Sequence, residues 1–309
     1  MIDRGVEIRG NNMKDKKNTT PLENQAPKHA SSWQIFARNK LAIIGLCFIL
    51  FWVLLAVLAP VISPFDPLEL NFKDKLVAPG VNGHLLGTDQ YGRDVLSRIL
   101  YGARISIWCG VISVGIALII GTILGGIAGY YGGVVSIVIM RVMDAMSAFP
   151  SLVLAIVIAS VIGRGTVSAM LAVGIVSVPD YARLMFAETS SIRGRPFIEA
   201  GVAIGLKNNQ LIARHVLPNC MSQLLVKATL GLGFAILTVS SLSFIGMGVQ
   251  PPTPEWGNMI AEARSFIISG EWWMATFPGL AIMTSILGFN LVGDGVRDIL
   301  DPRNRTSIN

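Results

Sequence analysis

Long uncharged runs alternate with short polar segments along the whole chain, and the runs have membrane-spanning length. Residues 41–62 carry no charge over 22 positions, and about 20 apolar residues take a helix across the hydrocarbon core of a bilayer. They predict the first span. Residues 105–140 are uncharged over 36 positions, too many for a single span. Gly129-Tyr130-Tyr131-Gly132-Gly133 marks the break, so the second span is expected from Ile105 to about Ala128. Gly110, Gly115, Gly121, Gly125 and Gly129 fall along it mostly four to six apart. Small residues at such spacing let helices pack closely where lipid offers no hydrophobic driving force. The third span is expected to kink at Phe149-Pro150-Ser151-Leu152 and run to Ile162, before a tight turn at Gly163-Arg164-Gly165. The fourth is expected over 166–185 with a break near Pro179, the fifth over 224–246 and the sixth over 272–292. Six spans predict an all-α integral membrane protein.

The remaining segments divide the chain. Residues 1–32 are polar, mixed in charge and without periodicity, which predicts a disordered tail; they are too polar for a signal peptide. Residues 33–40, WQIFARNK, read as an interfacial helix with Arg38 and Lys40 at the membrane edge. With the first span and an outer segment they make up a unit to residue 100. A five-helix core follows over 101–300 with a loop at 188–223, then a C-terminal tail at 301–309; charged character begins already at Asp294. In the outer segment Thr88 and Asp89 are placed to cap the helix that carries Asp94 and Arg98.

Composition agrees with the pattern. Only 14% of the 309 residues are charged and 52% are hydrophobic, against about a quarter charged in a soluble domain. Three isolated cysteines, Cys47, Cys109 and Cys220, form neither a disulfide framework nor a metal pair. The net charge of +6 fits cytoplasmic loops rich in Lys and Arg better than a nucleic-acid surface. With the N-terminus inside, the cytoplasmic segments hold 18 Lys and Arg, and the outer ones seven against eight acids. Both termini are therefore expected in the cytoplasm of a multi-pass plasma or inner membrane protein.

Chemistry within the spans is sparse. Arg141 with Asp144, and Asp180 with Arg183, stand three apart and are expected to form structural ion pairs on one helix face near the cytoplasmic interface. No span has a carboxylate at its centre, as a proton relay would need. His29, His84 and His215 lie outside the spans, so neither a metal site nor a cofactor is expected. Gly205-Leu206-Lys207 is the nearest approach to a phosphate-binding loop and fails at both ends. The chain has no visible means of hydrolysing a nucleotide and is not expected to be an enzyme.

The polar island at 199–218, EAGVAIGLKNNQLIARHVLP, reads as two short helices. Pro196 suits a first helical position, Gly205 a left-handed cap, and residues 206–217 a second helix that Pro218 and Asn219 would stop. Ala200 and Gly201 leave little bulk, so another backbone could approach. Glu199-Ala200-x-x-x-x-Gly205, nine residues, then His215-x-Leu217-Pro218 resembles the Glu-Ala-Ala loop of binding-protein-dependent ABC importer permeases, with Gly201 in place of the second alanine. HLLGTDQYGRD at 84–94, SFIGMGVQPPTPEWG at 243–257 and FNLVGDGVRDILDPR at 289–303 are similar to the C-type subunit of the dipeptide, oligopeptide and nickel branch.

The resemblance implies a type I importer permease with a cytoplasmic coupling helix. The family's coupling positions map onto Glu199, Ala200, Gly201, Ile204, Gly205, His215, Leu217 and Pro218. It also implies a homologous second permease, two ATP-binding subunits that hydrolyse the nucleotide, an external solute-binding protein, and import of peptides or a related small substrate such as a nickel complex. The alternative is a secondary transporter or channel driven by an ion gradient, whose expected marks are mid-span charges and broken helices in two matching halves. The topology has a direct check. A cysteine at Asn82 should react with an impermeant thiol label added outside intact cells, and one at Arg193 should not; outside labelling at Arg193 would invert the assignment.

Overall fold

The computed structural model describes residues 36–300, and every regular element in it is helical. The expected tails at 1–32 and 301–309 lie outside the described residues. The long elements are α1 (Lys40–Ile62), α2 (Val95–Tyr131), α3 (Gly133–Ser147), α4 (Ser151–Ile162) and α5 (Thr166–Arg193). Then come the short α6 (Pro196–Ala203) and α7 (Asn208–Leu211), followed by α8 (Leu217–Phe244), α9 (Trp256–Ala263) and α10 (Trp273–Leu300). Among the described residues five helical stretches are long and apolar enough to cross a membrane, six if α3 and α4 form one span.

Several boundaries differ from expectation for identifiable reasons. Helix α2 begins at Val95, so the unit boundary expected at residue 100 falls inside a helix. The break after it is as expected: Gly132 adopts φ +67°, open to glycine at little cost. The expected kink of the third span is a bend of 96° between α3 and α4. Pro150 is extended there, at φ −54° and ψ 129°, and a residue before proline is disfavoured in the α region. Pro179 does not break α5, which runs unbroken to Arg193; neighbouring groups can satisfy a backbone freed by proline within a span. The tail expected from Asp294 is instead the last two turns of α10.

The chain ahead of α1 is helical at 36–38, and Asn39 caps α1 by accepting from the amides of Leu41 and Ala42, both at 3.1 Å. Its Nδ2 also donates to Asp298 Oδ2 at 2.8 Å, which ties the start of α1 to the end of α10. No other pair of helices is packed as extensively as α2 and α5. A Cβ added at Gly121 would lie 2.5 Å from Tyr181 Cβ, and one at Gly129 would lie 2.7 Å from Thr189 Cβ; at Gly125 it would collide with the Ala182 carbonyl. Gly110 similarly admits Ile236 of α8, whereas Gly115 faces open space and makes no such contact.

The end of the bundle where α2 begins is held by buried charge. Asp94, not Thr88 or Asp89, caps α2: its Oδ2 accepts from the Ser97 amide and hydroxyl at 2.7 Å, and its Oδ1 meets His84 Nδ1 at 2.9 Å. Thr88 and Asp89 serve the loop before it. Thr88 Oγ1 accepts from the Val77 amide at 2.8 Å, and Asp89 accepts from the amides of Tyr91 and Arg93 and from Arg93 Nε. Arg93 and Arg98 then converge on Glu262 of α9 at 3.0 and 2.8 Å. Glu255, fully buried, caps α9 through the amides of Gly257 and Asn258 and also accepts from Ser106 and Ser240. Trp256 beside it is buried against Trp52, ring centroids 5.0 Å apart, and donates to the Ile99 carbonyl.

Removing one partner from such a cluster leaves a buried charge uncompensated. Glu262→Gln should cost on the order of 3–5 kcal/mol, read as a lower Tm of the purified protein, whereas Glu69→Gln on the exposed outer segment should stay within about 0.5 kcal/mol. Equal melting of the two variants would remove the structural role from the cluster.

Candidate functional site: the loop between α5 and α8

The polar island folds back against the end of the bundle where α2, α5 and α8 meet. Pro196 takes the first position of α6, where its missing N–H costs nothing. At the other end the Leu206 amide donates to the Gly201 carbonyl at 3.1 Å and the Gly205 amide to the Val202 carbonyl at 2.9 Å. With Gly205 at φ +81°, this is the two-bond left-handed cap in which glycine avoids a Cβ clash. Helix α7 follows after Lys207, whose amide donates to Gln210 Oε1 at 3.1 Å.

Pro218 does not end the second helix, contrary to expectation. Residues Ile212–Val216 widen into a π turn, and the Leu217 amide reaches five residues back to the Ile212 carbonyl. That register shift lets Pro218 sit in the first turn of α8, where prolines are tolerated. Asn219 Nδ2 donates to the His215 carbonyl at 2.6 Å, filling an acceptor at the junction. The helical run is thereby continuous over Asn208–Phe244.

One side of α6 is fastened to the protein. Ile198 is buried, and Gly201 packs inward: a Cβ there would lie 2.6 Å from Leu211 Cδ2 and 3.4 Å from Leu206 Cδ1. The bare surface expected at Gly201 is therefore covered by the chain's own leucines. The rest of its surface is open, with Phe197 41% and Val202 57% exposed on the two flanks of that stripe, Ile204 78% exposed just past the last turn, and Glu199, Ala200 and Gly205 exposed as well. His215 and Leu217 are half-buried at the α8 junction and Pro218 is exposed, away from that open side in the sequence but on the same folded-back segment.

Beside α6 lies a cavity of about 380 Å³ lined by Tyr130, Tyr131, Arg193, Ile198, Glu199, Val202 and Asn208. Tyr130 Oη donates to Asn208 Oδ1 at 3.1 Å, so the end of α2 is tied directly to the loop. Tyr130, Tyr131 and Asn208 escaped the sequence reading, although paired tyrosines at a span end are the usual mark of a membrane–water interface.

The expected ion pairs are re-partnered. Arg183 Nη2 reaches Asp144 Oδ1 and the Met143 carbonyl on α3, each at 3.5 Å, and Lys227 Nζ of α8 meets Asp180 Oδ2 at 3.1 Å. Neither same-helix couple, Arg141 with Asp144 or Asp180 with Arg183, forms a bridge. Spacing of three permits such a pair, but helices crossing at these positions offer partners that local spacing does not reveal. Among the described residues no group of three or more His, Cys, Asp and Glu side chains could hold a metal.

Residues 121–306 match the model of the family described as binding-protein-dependent transport system inner membrane component. The chain belongs to this family. Residues 30–79 match the N-terminal TM domain of oligopeptide transport permease C. The chain is 43% identical over 298 residues to a dipeptide transport system permease protein of Alkalihalophilus pseudofirmus, covering 95% of this chain and 97% of that one. It is 45% identical over 276 residues to the dipeptide transport system permease protein of Haemophilus influenzae, covering 88% and 93%. A glutathione transport system permease protein of Pectobacterium atrosepticum is 40% identical over 271 residues, covering 88% and 90%. Membership fixes the chain as a multi-pass inner-membrane permease of an ABC importer, a system that in general includes a partner permease, ATPases and a binding protein. It displaces the ion-gradient alternative.

The cap geometry makes one residue decisive for the position of α6. Gly205→Val forces a β-branched side chain into φ +81°, at a cost of roughly 1–2 kcal/mol. Transport by the assembled importer should fall while the variant still inserts in the membrane. Wild-type uptake would show that the loop tolerates a shifted α6.

Proposed function

We propose that this chain is one permease subunit of an ATP-driven importer of di- and tripeptides, and that it takes its energy from an ATPase subunit docked on α6. One observation carries the docking role: a helix fastened to the bundle by Ile198 and Gly201 turns Phe197, Val202 and Ile204 toward solvent. Exposed apolar residues rimmed by polar ones mark an interaction surface, and Glu199, Lys207 and Asn208 supply that rim. The peptide substrate is supported by relatives named as dipeptide and di/tripeptide permeases at 43–46% identity.

The working unit is this chain, a homologous second permease, two ATP-binding subunits and an external binding protein, with both termini and α6 on the cytoplasmic side. The transport core is α2 to α10, and α1 with the outer segment is an added unit whose boundary lies ahead of Val95. Nucleotide hydrolysis takes place on the partners. Closure of the ATPase pair moves the docked α6 and α8 together, because the π turn joins α7 to α8 without a flexible break.

The test is Ile204→Asp, which places a charge on the 78% exposed side chain that caps the end of α6. The variant should insert normally, lose co-purification with the ATPase subunits by at least about tenfold, as for the loss of an interface hot spot, and show no import. Full ATPase retention with normal import would overturn the docking assignment. Uptake driven by an ion gradient in liposomes holding this chain alone would overturn the ATP-driven reading.

A further inference from the structure

Two ion pairs join α5 to its neighbours, one to α3 and one to α8, and the docking surface uses none of their four side chains. Lys227 pairs with Asp180 at 3.1 Å and Arg183 with Asp144 at 3.5 Å. Their depth follows from helix length. Asp180 is 14 residues and Arg183 17 residues from the start of α5 at Thr166, about 21 and 26 Å at 1.5 Å per residue. Lys227 is 17 residues from the far end of α8 at Phe244, again about 26 Å. A hydrocarbon core about 30 Å thick places all three in the third nearest the docking loop.

These groups are not sealed within the chain. Side-chain exposure is 59% at Asp180, 55% at Asp144, 40% at Arg183 and 39% at Lys227. Hydrocarbon does not solvate such charges, and ionisable residues at this depth face the bundle interior or water. A dry contact would strip the water from their open sides, which is costly for an ion unless the contact supplies new partners, whereas a water-lined path keeps them solvated.

We infer that these four residues line the aqueous translocation path on this subunit and receive the oppositely charged ends of a zwitterionic solute. The inference rests on the importer reading for its substrate class. Two carboxylates and two cations make a strip with no net charge but separated poles. It therefore favours a dipolar molecule over a simple ion. A peptide ammonium competes with Lys227 for Asp180, and the peptide carboxylate competes with Asp180 for Lys227. Half-exposed pairs are weakly held, so the exchange is easy in both directions, as a path that must also release its cargo requires. Gln223, exposed one turn from Lys227 on α8, continues the polar strip toward the docking loop.

Two measurements on the complete reconstituted importer decide this. In a background with Cys47, Cys109 and Cys220 replaced by alanine, Asp180→Cys should react with a charged, membrane-impermeant thiol reagent at least about tenfold faster than Ile119→Cys, a convention equal to one decade in rate. Ile119, 61% exposed within the uncharged run of α2, serves as the apolar control. Equal rates, or an Asp180→Cys that is inert and cross-links to the second permease, would overturn the path assignment. The second measurement compares uptake of dialanine with that of its C-terminal amide. Lys227→Met should lower dialanine uptake by about tenfold and amide uptake by less than about twofold, since only the former offers a carboxylate. Equal losses would overturn the zwitterion role, as would full restoration of both uptakes by the exchange Asp180→Lys with Lys227→Asp, which a mere helix staple would allow. Absence of ATP-driven dialanine uptake by the wild-type complex would overturn the substrate class, while the labelling rates would still report whether the strip is water-lined.

Discussion

The contact on which the rest depends is the seam between α2 and α5. In a bilayer two apolar helices gain nothing from leaving lipid, so they associate through close backbone approach. Gly121, Gly125 and Gly129 provide it, one turn apart, against Tyr181, Ala182 and Thr189. The seam connects two ends with different duties. At one end α2 starts from Asp94 inside a buried charge cluster that also grips α9. At the other, Tyr130 closes onto Asn208 and α5 leads directly into α6. A side chain inserted along this seam would separate the buried-charge clamp from the docking loop, even though it touched neither.

The buried-charge clamp and the loop at the far end of the bundle are built on opposite principles. At the clamp, charge is buried and densely paired: Glu255 meets four donors and Glu262 two guanidinium groups, while Arg98 Nη1 is buried without a hydrogen-bond partner. Such networks are rigid because any half-satisfied state is expensive. At the loop, Phe197, Val202 and Ile204 stay open while Ile198, Gly201, Leu211 and Val216 are buried against the protein. A face left incomplete in this way is stable only when a partner covers it or when its area stays small, and α6 has just eight residues.

What could be read from the sequence follows from what each signal measures. Span existence was legible because an uncharged run of 22 residues has one physical use. The cap at Gly205 was legible because only glycine enters that backbone region cheaply. The stop at Pro218 was misread: local rules record the missing N–H, not the π turn that accommodates it. The same limit applies to Arg183 and Asp180. Their partners Asp144 and Lys227 lie 39 and 47 residues away, and local spacing carries no information about that crossing. Gly201 shows the subtler failure. Its small size was read correctly as permitting close approach, but the approaching group is Leu211 of the same chain.

That last reversal reshapes how force would pass through the loop. With Gly201 seated on Leu211, α6 is keyed to the first turn of a helical run that extends over Asn208–Phe244, roughly 55 Å at 1.5 Å per residue. The run ends beside Ser240, whose hydroxyl donates to Glu255 at 3.0 Å. A displacement applied at Ile204 is thus carried by packing into Leu211, by the π turn into α8, and by α8 to the clamp on the far side. Gly205 is the glycine joint at the head of that route, and its two cap hydrogen bonds close it. A stiff lever capped in this way moves as a unit, so the charged strip at Lys227, ten residues into α8, would shift with it.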